Sequence, residues 1–325
     1  MPSSERRPFV SPTLAILVGI LAVSTGSILV RNAQVYAPSI VIAAYRLVLA
    51  TLFIAPLALL RNRDELRSLS RPDFRLAALS GFFLSLHFAT WITSLQYTTV
   101  ASSVVLVSTA PLWVALLSPL ALKETLTRPI QIGMGLTLVG TVIVGLSDTC
   151  IWTSSGLACP SFREIVRGEA FLGDLLALIG AWMAAGYIII GRRLRLGISL
   201  VAYIFVVYGV AGLFLVVFML GFGQSPVGYP PQAYVWFLLL ALVPQLIGHS
   251  SFNWALGYLS AAYVSITLLG EPIGSAILAY FLLQETPAGL KIIGAILILA
   301  GIYVASRSER GVQSRFQGSE VLGRE

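Results

Sequence analysis

Residues 95–143 run LQYTTVASSVVLVSTAPLWVALLSPLALKETLTRPIQIGMGLTLVGTVI, and residues 256–304 run LGYLSAAYVSITLLGEPIGSAILAYFLLQETPAGLKIIGAILILAGIYV. Shifted by 161 positions, the two stretches lie on each other without a gap. Tyr97 meets Tyr258, Ala101 meets Ala262 and Pro111 meets Pro272; Glu124-Thr125 meets Glu285-Thr286, Gly133 meets Gly294 and Gly140 meets Gly301. Apolar composition produces chance Leu and Ala matches, but it does not readily produce Pro, Glu-Thr and Gly pairs in register. A weaker match at a shift of 160 sets Gly26 on Gly186. The chain is a duplication.

The rest of the 325 residues share the same apolar character. Hydrophobic residues make up 57% and charged residues 11%, with a mean hydropathy of +0.88. A soluble domain carries about 25% charged residues, so this chain has too little polar surface to be wetted. That excludes secreted disulfide scaffolds, coiled coils and disordered chains, and it disfavours soluble α/β enzymes. A membrane helix needs about 20 mostly apolar residues. Charges, prolines and turn residues then delimit ten spans, at 13–31, 38–60, 74–94, 99–121, 129–147, 171–190, 199–222, 233–256, 262–283 and 288–306. The first has no small-x-small cleavage site and leads into nine more, so it is expected to remain as a span. The expected fold is an all-α integral membrane protein of ten transmembrane helices.

Basic residues orient the spans. With the N-terminus inside, 16 of the 21 Lys and Arg fall on the cytoplasmic side, and both termini are expected there. The net charge of +7 belongs to this pattern: no basic run is interleaved with base-stacking aromatics, so no nucleic-acid partner is expected. Five spans per copy is an odd number, so the second copy enters the bilayer from the opposite side. The expected organisation is a cytoplasmic N-terminus 1–12, a first five-helix repeat 13–147, an outer loop 148–170, a second repeat 171–306 and a cytoplasmic tail 307–325. Inverted repeats of this kind build many secondary transporters, which hold substrate near the midplane between the halves.

At this point the chain resembles a known family. The segment Leu95-Gln-Tyr-Thr-Thr-Val-Ala-Ser-Ser followed by Pro111 is similar to the EamA-type transporters of the drug/metabolite transporter superfamily. So is the second copy, with Ala255-Leu-Gly-Tyr-Leu-Ser-Ala-Ala, then Gly270-Glu271-Pro272, then Leu283-Gln-Glu285-Thr. The resemblance covers 13–306 and implies a transport fold without fixing a substrate. Two departures stand out: Ala110 occupies the place of Glu271 in the first copy, and the loop from Asp148 to Ala170 is long.

Polar side chains within spans are expected to face protein or a water-filled cavity. Span nine carries Tyr263, Thr267, Glu271 and Ser275 at steps of four, one face of a helix. Glu271 lies near mid-span, where an ionised carboxylate is strongly penalised; it is the candidate for proton coupling, the rival role being to brace the backbone beside Pro272. Span eight carries Gln245, His249 and Asn253 at the same step, just after Pro244. Span three offers His87 and Trp91, with His87 aligned on Gly248, one position from His249. Trp182 near the middle of span six, Ser24 in span one and Thr109 in span four complete the expected substrate-binding set. Arg46 follows Pro38 by eight residues, about 12 Å along a helix, and a structural role is favoured over substrate contact. Gly133, Gly140, Gly294 and Gly301 are expected to form a packing seam. Cys150 and Cys159 share the outer loop, an oxidising place in which a disulfide is sterically open.

No Cys/His cluster suggests a metal, and no GxxxxGK[ST] loop suggests ATP drive; no cofactor is expected. An intramembrane enzyme would need a convergent acid/base set, and His87, His249 and Glu271 are dispersed along the sequence. The expected function is a secondary transporter, exporting a small organic metabolite such as an amino acid across the inner membrane by alternating access. An organic-anion or nucleotide-conjugate antiporter using Arg46, or a non-transporting membrane scaffold, are the alternatives. The expected partners are a small-molecule metabolite and the lipid bilayer; monomer and homodimer are both open.

Overall fold

In a computed structural model, the protein is described over residues 10–98, 103, 106–147, 151–153, 156–158, 169–271, 273–274, 277–278 and 289–322. Cys150, Cys159, Pro272 and Ser275 lie outside these. The helices are α1 (Pro12–Val23), α2 (Gly26–Gln34), α3 (Ser39–Arg61), α4 (Arg63–Ser68), α5 (Arg71–Tyr97), α6 (Ala110–Ala121) and α7 (Arg128–Ser147). A short antiparallel hairpin, β1 (Ile151–Thr153) and β2 (Gly156–Ala158), pairs Ile151 with Ala158 within the expected outer loop. Then come α8 (Glu169–Arg195), α9 (Leu200–Gly221), α10 (Pro231–Leu240), a π-helical stretch Ala241–His249, α11 (Ser250–Ala255), α12 (Ala261–Thr267), a 3-10 turn Leu268–Gly270 and α13 (Gly289–Leu322).

Six stretches are long and apolar enough to cross a membrane: Pro12–Gln34, Ser39–Arg61, Arg71–Tyr97, Phe171–Arg195, Leu200–Gly221 and Pro231–Ala255. Four shorter apolar helices, Ala110–Ala121, Arg128–Ile143, Ala261–Gly270 and Ile292–Arg307, occupy the remaining expected places. Large apolar side chains such as Leu60, Leu120 and Ile296 stand exposed on the outside of this bundle, as suits a protein solvated by lipid.

Local chemistry sets the helix ends. Ser70, Ser199 and Ser260 each accept a hydrogen bond from the backbone N–H three residues on, capping α5, α9 and α12. The breaks within spans have causes as well. Between α1 and α2, the Ser24 and Thr25 hydroxyls donate to the carbonyls of Ile20 (2.6 Å) and Ala22 (2.7 Å), competing with the backbone ladder. In the eighth expected span, Pro244 has no N–H to give, and the chain winds one residue wider per turn from Ala241 to His249.

Three expectations change. The segment expected as a loop at 61–73 contains helix α4, and Glu65 on it accepts from the backbone N–H (2.6 Å) and hydroxyl (2.5 Å) of Ser199, fastening it to the start of α9. The last helix does not stop near 306 but runs to Leu322. The first expected span is two helices rather than one.

The two copies interleave. α1 packs on the π stretch and α11, α3 on α9, α5 on α8, α6 on α12, and α7 on α13. Exchange the copies and this pairing maps onto itself: α3–α9, α6–α12 and α7–α13 are unchanged, while α1–α11 swaps with α5–α8. The α7–α13 pair is the glycine seam. A Cβ added at Gly133 would lie 2.5 Å from the Gly301 carbonyl oxygen, and one at Gly140 2.7 Å from that of Gly294. Only glycine admits backbones this close.

Candidate functional site

A cavity of ≈ 920 Å³, counted out to its mouth, opens where the irregular helices meet. Its walls come from the α1–α2 break (Val23, Gly26), α3 (Arg46), α5 (His87, Phe88, Trp91), the start of α6, α8 (Tyr187), the π stretch with α11, and α12 with Glu271. These include all six spans expected to contribute and add the second, through Arg46.

Of the expected site residues, His87, Trp91, His249, Asn253 and Glu271 line this cavity. The two histidines and Glu271, dispersed in sequence, are thus brought together. Phe88 stands between the imidazoles, its ring centroid 4.9 Å from His87 and 5.2 Å from His249. His87 Nδ1 lies 2.9 Å from the Gly180 carbonyl oxygen; a carbonyl only accepts, so the Nδ1 proton is committed there. His87 and Trp91 are parallel, 6.2 Å apart. Among the described residues, no group of three His, Cys, Asp or Glu is placed to hold a metal ion.

Six expected residues stand off the wall. Trp182 is 41% exposed and meets Trp113 edge-on at 5.4 Å. On α8 the cavity takes Ala184, Tyr187 and Ile188, and a residue two positions before Ala184 points to the far side. Thr109 is occupied locally, donating to the Leu106 carbonyl (2.7 Å) and accepting from Trp113 Nε1 (3.3 Å). The Tyr263–Thr267–Glu271 stripe breaks up because a step of four residues drifts by about 40° each time on a helix. Glu271 instead shares its face with Val264 and Leu268, seven and three residues before it; Ser265 is on the wall, and Tyr263 and Thr267 are buried against other helices. Ser24 links the two copies, its hydroxyl 3.1 Å from the Glu271 carbonyl oxygen. Gln245 is fully buried one step behind the wall, where it accepts from Arg46 Nε at 2.8 Å. In the π stretch residues five apart stack, so Pro244 and His249 share the cavity face and Gln245 does not.

Arg46, for which a structural role was favoured, also reaches the cavity. It is 1% exposed, on the cavity wall, with its guanidinium 4.1 Å over the Phe88 ring. The clue was present: one cation roughly two helical turns inside an apolar span. Phe88 and Tyr187 carried no such clue, being ordinary residues of apolar helices. Tyr187 earns its place through Asn253, whose Oδ1 accepts from the Tyr187 hydroxyl at 2.7 Å while its Nδ2 donates to Tyr208 at 3.2 Å.

The Leu256 end of the cavity is crossed by a clasp. Arg192 donates from Nη1 to the Leu256 carbonyl (2.9 Å) and from Nε to Glu124 (2.7 Å), whose other oxygen accepts from the Ala261 N–H (3.1 Å). Arg195 adds bonds to the carbonyls of Asn253 and Ile198. Glu124 comes from the first copy and the rest from the second, so this clasp joins the halves. It is the ion pair formed among the described residues.

The chain as a whole is similar to known proteins. A protein of Archaeoglobus fulgidus named an uncharacterized transporter is 26% identical over 90% of this chain and 95% of its own. A second from the same organism, with the same name, is 25% identical over 75% of this chain and 81% of its own. The pseudopaline exporter CntI of Pseudomonas aeruginosa is 23% identical over 91% of this chain and 97% of its own. A solved crystal structure superposes with a TM-score of 0.74 at 18% identity, covering 93% of this chain and 98% of that one, a likeness of fold alone. The sequence pattern of the EamA-like transporter family matches twice, at residues 11–146 and 171–307, once over each copy. The chain is therefore a multi-pass membrane protein of the EamA-like transporter family, within the drug/metabolite transporter superfamily.

Proposed function

We propose that this transporter moves small organic metabolites, amino acids among them, outward across the inner membrane by alternating access. In this reading it has ten spans in two inverted five-helix repeats, 13–147 and 171–306, with both termini cytoplasmic. The observation that carries it is the cavity: it lies between the two copies, is walled by helices of both, and is clasped at one end by Glu124 and Arg192. A pairing of helices that survives exchange of the copies supports a pseudo-twofold relation. The lining is mostly aromatic and aliphatic, with amide, imidazole, one carboxyl and one guanidinium, which suits an amphipathic solute.

Glu271 is the proposed coupling group. Its carboxyl lines the cavity, while the backbone beside it is held by Ser24. The test is transport in proteoliposomes with and without a pH gradient. Glu271→Gln is expected to abolish gradient-driven transport and to spare exchange at equal pH; gradient-driven transport surviving in this variant would sink the coupling role. Cys150 and Cys159 are proposed to form a disulfide, since β1 and β2 pair the residues next to them, Ile151 and Ala158. Mass spectrometry without reduction should find them linked; two alkylated thiols would count against it.

A further inference from the structure

The wall of the cavity and the layer just behind it hold a one-sided surplus of hydrogen-bond donors. Arg46 Nη1, Trp91 Nε1 and Gln245 Nε2 are each buried without a partner. Their side chains are 1%, 7% and 0% exposed. They belong together: Gln245 holds Arg46 Nε, and Arg46 and Trp91 line the same cavity, each beside Phe88. A buried donor left unmade costs about 1–3 kcal/mol, and a buried unpaired cation costs more. Arginine is always charged, so its need is for an anion. Among the described residues the acidic group close enough to act on it is Glu271. Glu271 lines the same cavity, yet among the described residues no ion pair joins it to Arg46.

We propose that Arg46, Gln245 and Trp91 form a carboxylate-binding subsite, and that the solute carried is a monocarboxylate with an apolar body; this rests on the transport function proposed above. Arg46 Nη1 and Trp91 Nε1 donate to the two carboxylate oxygens, while Gln245 keeps the guanidinium edge turned to the cavity. The chemistry favours carboxylate over phosphate. Among the described residues one Arg or Lys lines the cavity, and the neighbouring wall is Phe88, Phe252, Val264 and Leu268. A phosphate dianion would be left with half its charge uncompensated in apolar surroundings.

The experiment uses the full chain in lipid nanodiscs. Thermal stabilisation is measured with acetate, 3-phenylpropionate and L-phenylalanine, with the amide of each, and with 2-phenylethylphosphonate. The carboxylates should bind at least about tenfold more tightly than their amides. Arg46→Gln should erase that preference. Trp91→Phe keeps the ring and removes the N–H, so it should weaken carboxylates severalfold and leave amides unchanged even if Arg46→Gln does not fold. The subsite is overturned by amides binding as well as carboxylates, by the phosphonate binding best, by preference persisting in Trp91→Phe at full strength, or by no carboxylate binding at millimolar concentration. Proteoliposome assays of the same compounds separate the two ideas. Transport that ignores the carboxyl group removes the subsite alone, whereas carboxylate-specific stabilisation without any transport removes the transport function alone.

Discussion

The seam between α7 and α13 and the cavity between α3, α5 and the π stretch solve opposite problems in one bundle. At the seam, Gly133 and Gly140 meet the backbone carbonyls of Gly301 and Gly294, and the buried hydroxyls of Thr137 and Thr141 donate to carbonyls of their own helix. At the cavity, bulky aromatic side chains hold the helices apart, and two residues of the wall, Arg46 and Trp91, each keep a donor without an acceptor. In lipid there is no hydrophobic force to press helices together, so contact has to come from shape. The comparison shows where that shape is spent: closely fitted where the protein is held together, and withheld where a solute has to enter.

If the seam is that unforgiving, Gly133→Leu should have the largest effect of any change considered, costing about 3 kcal/mol or more through overpacking. Size-exclusion chromatography in detergent should show little folded protein. Gly135→Ala on the same helix meets nothing within 4 Å and should fold normally; equal damage from both would mean that the seam is not what is being tested. Next comes Asn253→Ala at the cavity, which strips the partner from the Tyr187 hydroxyl and one from Tyr208. A loss of about 2 kcal/mol is expected, with substrate binding falling more than stability does. An unchanged binding isotherm would detach this network from the cavity's function.

The clasp should respond more mildly. Glu124 and Arg192 are 22% and 16% exposed, so Glu124→Gln should cost under about 1 kcal/mol. Its signature should instead be access: a cysteine at Leu256, unreactive in the parent, should become open to a water-soluble thiol reagent. Protection that persists would mean the clasp does not close that end. Trp182→Phe is expected to be nearest to silent, because the ring it removes sits outside the cavity. A clear drop in substrate affinity would require the cavity to extend beyond Trp113.

Much of the architecture was legible because it is carried by residue types with few other uses. Gly133, Gly140, Gly294 and Gly301 announced their seam through spacing alone, and the matched Pro and Glu-Thr pairs announced the duplication. The cavity was legible in part. His87, Trp91, His249, Asn253 and Glu271 line the cavity as polar or large side chains inside a span are expected to. Tyr263, Thr267 and Gln245 were misplaced because a step of four was taken for a straight stripe, whereas a helix drifts and a π turn drifts the other way. Trp182 failed on phase, which depends on which side of α8 meets α5. For Arg46 a structural role was favoured, and its place on the cavity wall was not foreseen. Its position opposite Gln245 is set by the packing of α3 on the π stretch, 199 residues away in sequence, and no local pattern contains that.

The π stretch has a consequence for the symmetry of the whole. The offset between copies is 160 residues at Gly26 and Gly186 but 161 from Tyr97 and Tyr258 onward, so the second copy carries one residue more. The stretch Ala241–His249 is an element able to absorb a surplus residue without breaking its helix. Its counterpart in the first copy, within α5, is plain α-helix from Arg71 to Tyr97. Two identical copies related by a two-fold axis would have no reason to favour an opening at one end over an opening at the other. A molecule wound more loosely in one arm is lopsided by construction, and the imbalance sits at His249, against the solute it would have to release.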